Sequence, residues 1–153
     1  MERSAGGLVA ALEPAMERRG GTWAGWPGIQ LRPGEKLPDQ PGSYGLEPVP
    51  LSSSDVRHYY HGFSNRTIWP LFHSMPERTE LEKREWQSYE AVNGRFASAT
   101  AAVAGDTDLV WVHDYHLMRA PVHLRRIRRE LRIAFFLHIP FPPYDIFRLL
   151  PWD

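Results

Sequence analysis

The 153-residue chain has no cysteine, only two lysines among its 18 basic residues, no net charge and no long apolar run. The missing cysteine excludes a disulfide scaffold, a thiolate metal centre and a cysteine nucleophile. Wholly apolar stretches reach only a few residues, far below the ~20 needed to cross a bilayer. The opening MERSAGGLVAALEPAMERRGG has an apolar patch of six residues with acidic neighbours, a poor match to a signal peptide. Eighteen basic residues against eighteen acidic ones leave no bulk positive charge for nucleic acid. The balance of 42% hydrophobic and 24% charged residues is that of a globular domain, not of a disordered chain. Together these features predict a soluble, cytoplasmic protein with neither a nucleic-acid nor a membrane partner. The excess of Arg over Lys reads as coding bias.

What is present stands out in two ways. There are 14 prolines and 6 tryptophans, and all 7 histidines lie at or after His58. Tryptophan and histidine gathered together suit a polar, aromatic-lined pocket. Gly6-Gly7 lead into a helical pattern of Leu8, Leu12 and Met16, which Pro14 should kink and Gly20-Gly21 should end. TWAGW and LEPVPL read as short extended pieces around a Pro/Gly-rich loop, and residues 27–52 form the variable part of the chain. Ser53 or Ser54 is the expected cap of a helix start, followed by a turn-rich aromatic run through His73. A helix is expected over 79–103, with Leu81, Trp86, Tyr89, Val92 and Phe96 near helical spacing. Then come a buried strand (109–114), a basic amphipathic helix (117–130), a second buried strand (132–140) and a last short helix, DIFRLL. Strand, helix, strand, helix implies an α/β fold with a parallel sheet covered on both faces.

In such sheets ligands bind beyond the carboxyl ends of the strands. Both predicted strands turn polar there, at His113-Asp114-Tyr115-His116 and at His138. An Asp accepts hydrogen bonds from sugar hydroxyls, and a His donates to a hydroxyl or phosphate; capping of the following helices is the plainer reading. Gly6-Gly7 would let a phosphate approach the backbone at a helix N-terminus, or simply make a tight turn. Tyr60, Phe63, Asn65 and Trp69 suit a sugar face, or a small satellite core. His113, Asp114, His116 and His138 offer nitrogen and oxygen atoms to a metal, but their spacing does not fix them on one helix face. The run Arg125, Arg126, Arg128, Arg129 and Arg132 reads as a solvated helix face.

Longer motifs then join up. Tyr59-Tyr60-His61-Gly62-Phe63-Ser64-Asn65, Ile68-Trp69-Pro70-Leu71-Phe72-His73, Val110-Trp111-Val112-His113-Asp114-Tyr115-His116-Leu117-Met118 and Phe135-Phe136-Leu137-His138-Ile139-Pro140-Phe141-Pro142 resemble the trehalose-6-phosphate synthases of glycosyltransferase family 20. Ser4-Ala5-Gly6-Gly7-Leu8 begins the match, and Ile146-Phe147-Arg148 with Leu150-Pro151-Trp152 ends it. The resemblance implies the two-domain GT-B fold, in which two Rossmann-like domains with parallel sheets face each other across a cleft. It also implies retaining transfer of glucose from a nucleotide sugar, usually UDP-glucose, to glucose 6-phosphate, with no required metal or other cofactor. Tyr60, Trp69 and Asp114 fall on residues that hold glucose 6-phosphate. Gly6, Gly7 and His138 fall on the donor side, and His138 and Asp114 on the catalytic positions. Trp26 falls near the same pocket. Full-length members are expected to be homo-oligomers. Against that pattern, residues 1–153 read as a partial N-terminal, acceptor-side domain. They lack the first strand with its Ser-Asn-Arg turn and the C-terminal nucleotide-binding domain, and the chain alone is expected to be inactive. The alternatives are a non-catalytic sugar-phosphate-binding or synthase-associated module, or a sibling synthase with another phosphorylated acceptor.

Overall fold

The computed structural model describes residues 7–29 and 43–152. The chain divides into two compact units at Pro50/Leu51. In the first, helix α1 (Gly7–Arg19) includes Pro14 without ending there. It stops at Gly20 and Gly21, whose φ values of 70° and 110° lie in the left-handed region open to glycine. Strands β1 (Thr22–Gly25) and β2 (Gly45–Pro48) pair in parallel, Thr22 opposite Gly45, so both extended pieces expected from the sequence are strands. Gly6 and residues 30–42 of the variable loop lie outside the described residues.

The second unit opens on one continuous helical run. Helix α2 (Ser53–Asp55) passes into a π-helix (Val56–Ile68) and then into α3 (Trp69–Phe72). The cap is Ser52, one residue before the expected Ser53 or Ser54. Its hydroxyl accepts from the Asp55 N–H at 3.1 Å while its own N–H donates to the Asp55 carboxylate at 2.9 Å, a reciprocal capping box. The segment expected to be turn-rich is therefore helical. Its buried residues include Tyr59, Phe63, Thr67 and Ile68; the first three recur every four residues, a spacing compatible with an α-helix, and the i→i+5 bonding is a feature of the folded backbone. Pro70 has no N–H to donate back along the helix, and the Arg66 carbonyl instead accepts from the Glu80 N–H at 2.9 Å.

Helix α4 (Lys83–Val103) begins four residues later than expected and packs against the π-helix and against α5 (Ala120–Ile127). Phe63, Trp86, Tyr89 and Trp152 form one aromatic cluster, with Phe63 4.7 Å from Tyr89 and Trp86 stacked 5.5 Å from Trp152. Ala97, Leu124 and Leu131 form a second buried cluster, covered by Val110 and Ile133 of the sheet. That sheet pairs β3 (Leu109–His113) with β4 (Arg132–Phe136) in parallel, Leu109 opposite Arg132, with α5 as the crossover. Both strands end before their expected limits, as does α5, which a short 3₁₀ turn (Tyr115–Leu117) precedes. A last helix, α6, spans Tyr144–Phe147.

Two expectations are corrected here. The strands are not buried on both faces: Trp111 and Phe136 are 50% and 49% exposed, while Val112 is buried. Nor is the arginine run simply solvated. Arg128 donates to the Ala101 and Ala104 carbonyls at 3.1 and 3.0 Å and pairs with Asp106 at 2.6 Å, closing the C-terminus of α4. Arg125 donates to the Leu131 carbonyl at 2.7 Å, and Arg132 to the Thr107 carbonyl.

Gly62 of the π-helix faces Glu85 of α4. A Cβ there would sit 2.6 Å from the Glu85 carboxyl carbon, and Glu85 is buried and paired with Arg66. Gly62→Ala is expected to lower the urea-unfolding free energy by about 1–2 kcal/mol, overpacking outweighing the gain in helix propensity. Gly94→Ala, where a Cβ meets nothing within 4 Å, should raise it by about 0.5–1 kcal/mol. Equal effects at the two glycines would contradict this packing.

Candidate functional site at the carboxyl rim of the parallel strands

Asp114 follows β3 directly. Its N–H donates to the Phe136 carbonyl at 2.8 Å, extending the ladder by one bond. Its backbone then departs from the strand, with φ 71° and ψ 167°, a region essentially reserved for glycine. An aspartate held there costs of the order of 1–3 kcal/mol, and such strain gathers at functional positions.

The loop that imposes this conformation is clamped from α4. Asn93, fully buried, accepts at Oδ1 from the N–H groups of Arg119 and Ala120 at 3.1 and 2.9 Å. It therefore serves as the N-cap side chain that α5 lacks in its own sequence. Its Nδ2 donates to the His116 carbonyl at 3.1 Å and to the Tyr89 carbonyl at 2.9 Å. The Tyr89 hydroxyl donates to the Tyr115 carbonyl at 2.7 Å and accepts from the Met118 N–H at 3.1 Å. Burial holds the Tyr89 phenol far above its ordinary pKa of 10, so it stays a donor at any physiological pH.

The rim brings Asp114 and His138 together, as the sequence predicts. The His138 N–H donates to Asp114 Oδ1 at 3.3 Å, and His113 Nδ1 lies 3.0 Å from His138 Nε2. The Asp114 carboxylate is 3.9 Å from His116 Nδ1. The Tyr60 ring stacks on His116 at 5.2 Å and 12°, so Tyr60 joins the same neighbourhood. Trp69 is 39% exposed and stacks on His73 at 4.1 Å. Phe63 lies elsewhere, in the core. Gly7 begins α1, and Trp26 follows β1. Two open surface grooves, one between α4 and α5 and one beside α5 and β4, include neither Asp114 nor His138.

Sequence reasoning missed the His113–His138 pair and the Asn93–Tyr89 clamp. A signal for the clamp existed, because Asn93 sits in the apolar stripe with Tyr89, Val92 and Phe96, where a buried amide must find partners. The histidine pair has no such signal, since the register of β3 on β4 decides it.

Burial lowers the His113 pKa below its ordinary 6.5, nearby His138 adds to that, and the Asp114 carboxylate opposes it. Burial lowers His116 as well, again against Asp114. In the unfolded chain both take a proton near pH 6.5, and the folded chain resists it. Their contribution to stability is thus complete above that pH and is lost progressively as pH falls from there through their lower folded values. The ring C–H resonances of both should titrate below 6.5, and Asp114→Asn should move both midpoints lower still. A midpoint at or above 6.5 for His116 would contradict the site. Asp114→Gly should stabilise the fold by about 1 kcal/mol in urea by releasing the backbone, whereas Asp114→Ala should not.

The model of the family described as "Glycosyltransferase family 20" matches residues 1–153. A trehalose-6-phosphate synthase of Mycobacterium avium is 48% identical over 153 residues, covering 99% of this chain and 31% of that protein. An alpha,alpha-trehalose-phosphate synthase (UDP-forming) from Burkholderia xenovorans, solved in complex with glucose-6-phosphate, superposes with a TM-score of 0.86 at 34% identity, over 99% of this chain and 34% of that one. A trehalose-6-phosphate structure from E. coli bound with UDP-2-fluoro glucose gives 0.85 at 36% identity, over the same shares of 99% and 34%. The chain thus spans about a third of the length of these relatives. With the whole chain matched and an α/β architecture like that of the solved structures, it belongs to glycosyltransferase family 20.

Proposed function

We propose that this chain supplies the acceptor side of a retaining glucosyltransferase that moves glucose from UDP-glucose to glucose 6-phosphate, giving trehalose 6-phosphate. The observation that carries the reading is Asp114. Its strained backbone sets a carboxylate beside His138 at the carboxyl end of two parallel strands, where a ligand of such a sheet is expected. The relatives solved with glucose-6-phosphate and with UDP-2-fluoro glucose support this choice of substrates.

In this reading the Asp114 carboxylate accepts charge-assisted hydrogen bonds from hydroxyls of the acceptor sugar. Tyr60 and Trp69 give it flat apolar walls with polar edges. His138 hydrogen-bonds the donor glucose and steadies it as the bond from its anomeric carbon to the diphosphate breaks. Gly6 and Gly7 are proposed for the donor side on the resemblance alone. No metal is required in this scheme. The chain spans about a third of the length of these relatives, and by itself it is proposed to bind the acceptor and turn over little. A cytoplasmic location and homo-oligomers of full-length family members belong to the same proposal.

Titration calorimetry with glucose 6-phosphate tests the reading. Saturable binding is expected, weakened about tenfold or more by Asp114→Asn and by Trp69→Ala, a loss of about 1.4 kcal/mol or more for each. Absence of binding at millimolar ligand would overturn the acceptor assignment. UDP release from UDP-glucose and glucose 6-phosphate, at the rate of a complete synthase, would overturn the division of roles.

A further inference from the structure

The pitch of the π-helix decides which of its side chains share a face. Tyr60 and Trp69 are nine residues apart. At 3.6 residues per turn that separation is about two and a half turns and leaves them on opposite sides. A helix bonded i→i+5 has about 4.4 residues per turn, so the same separation is about two turns and aligns them. The Trp69 N–H donates to the Ser64 carbonyl, five residues back, so the wide pitch persists to the end of the run. Asn65, five residues after Tyr60 and four before Trp69, falls on the same stripe.

That stripe is tied to the loop carrying Asp114. The Tyr60 ring stacks on His116, and Asn65 Oδ1 accepts from the Tyr115 hydroxyl at 3.0 Å. Burial, with Asp114 and Tyr60 nearby, pushes the Tyr115 phenol up to about 12, so it keeps its proton. With Oδ1 turned to the Tyr115 hydroxyl, the amide presents the two donors of Asn65 Nδ2 at its other end. Among the described residues neither has a partner.

Resting on the acceptor reading above, we infer that Asn65 is a specificity-determining residue of this site: its Nδ2 donates to a hydroxyl or phosphate oxygen of the sugar phosphate held along Tyr60 and Trp69. Tyr115 is then a positioning residue that orients the Asn65 amide. Asn65→Asp keeps an acceptor for Tyr115 but replaces both donors, and so separates the two roles.

The test has two readouts. The first needs no ligand: a through-hydrogen-bond coupling between the Trp69 nitrogen and the Ser64 carbonyl carbon is expected by NMR. A coupling from Trp69 to the Asn65 carbonyl carbon would mean α pitch and would overturn the inference whatever the chain binds. The second is calorimetric titration with glucose 6-phosphate. Asn65→Asp should weaken binding tenfold or more with the Trp69–Ser64 coupling intact. If that variant loses the coupling, Tyr115→Phe takes its place, since it leaves residue 65 untouched, and it should weaken binding several-fold. Undiminished binding in the variant that keeps its coupling overturns the role of Asn65 and leaves the acceptor site standing. A parent chain with the coupling but no affinity for glucose 6-phosphate overturns both.

Discussion

One buried amide determines much of this molecule. Asn93, in the middle of α4, uses both of its polar atoms on the loop that follows β3, and Tyr89, one turn earlier, adds two more bonds. A loop has no ladder of its own to hold it, so its backbone groups need partners from elsewhere. Here the partners come from the longest described helix, whose other residues on that face, Val92 and Phe96, are buried in apolar packing. A buried polar group with all its bonds made rigidifies its surroundings, whereas one left unsatisfied costs its full desolvation penalty. The loop is consequently held in one conformation, and Asp114 is held with it.

That rigidity is what permits the strain at Asp114. A backbone in a region favoured by glycine relaxes unless its surroundings over-determine it. The ladder bond to Phe136 fixes one side, and the Asn93–Tyr89 clamp fixes the other. The carboxylate then stands at the rim with His138, beside the histidine pair, and is available to a ligand without reorganisation. Preorganised polar groups of this kind act on a reacting sugar more strongly than mobile ones. The stability given up at one residue is modest beside what the two packed clusters of the second unit contribute.

Helix ends and edges of this chain are managed by arginine. Arg128 donates to carbonyls at the end of α4, where a guanidinium satisfies otherwise unpaired acceptors and complements the helix dipole, and Arg125 donates to the Leu131 carbonyl just before β4. The choice of Arg over Lys therefore has structural consequences at Arg128, whose two guanidinium nitrogens bond two carbonyls and a carboxylate in a fixed planar geometry. On the sheet, by contrast, Trp111, Phe135 and Phe136 remain largely exposed, a pattern unlike that of a parallel strand covered on both sides.

The amino-acid order by itself determined the α/β class, the parallel pairing of the strands before and after α5, and the meeting of Asp114 with His138. Each follows from local information: apolar runs ending in polar residues, a helical period between them, and the rule that parallel neighbours end at one edge. The motifs around Tyr60, Trp69, Asp114 and His138 also carried the family. Only the tertiary structure decided the rest. The run after Asp55 read as turns because it mixes aromatic and polar residues densely, although Tyr59, Phe63 and Thr67 recur at helical spacing; it is a wide helix packed against α4, with Glu85 close over Gly62. The arginines read as solvated because the carbonyls they bond lie 20 or more residues away for Arg128 and Arg132. The strain at Asp114 and the contact of His113 with His138 depend on loop closure and strand register, which are properties of the assembled fold and leave no periodic trace along the chain.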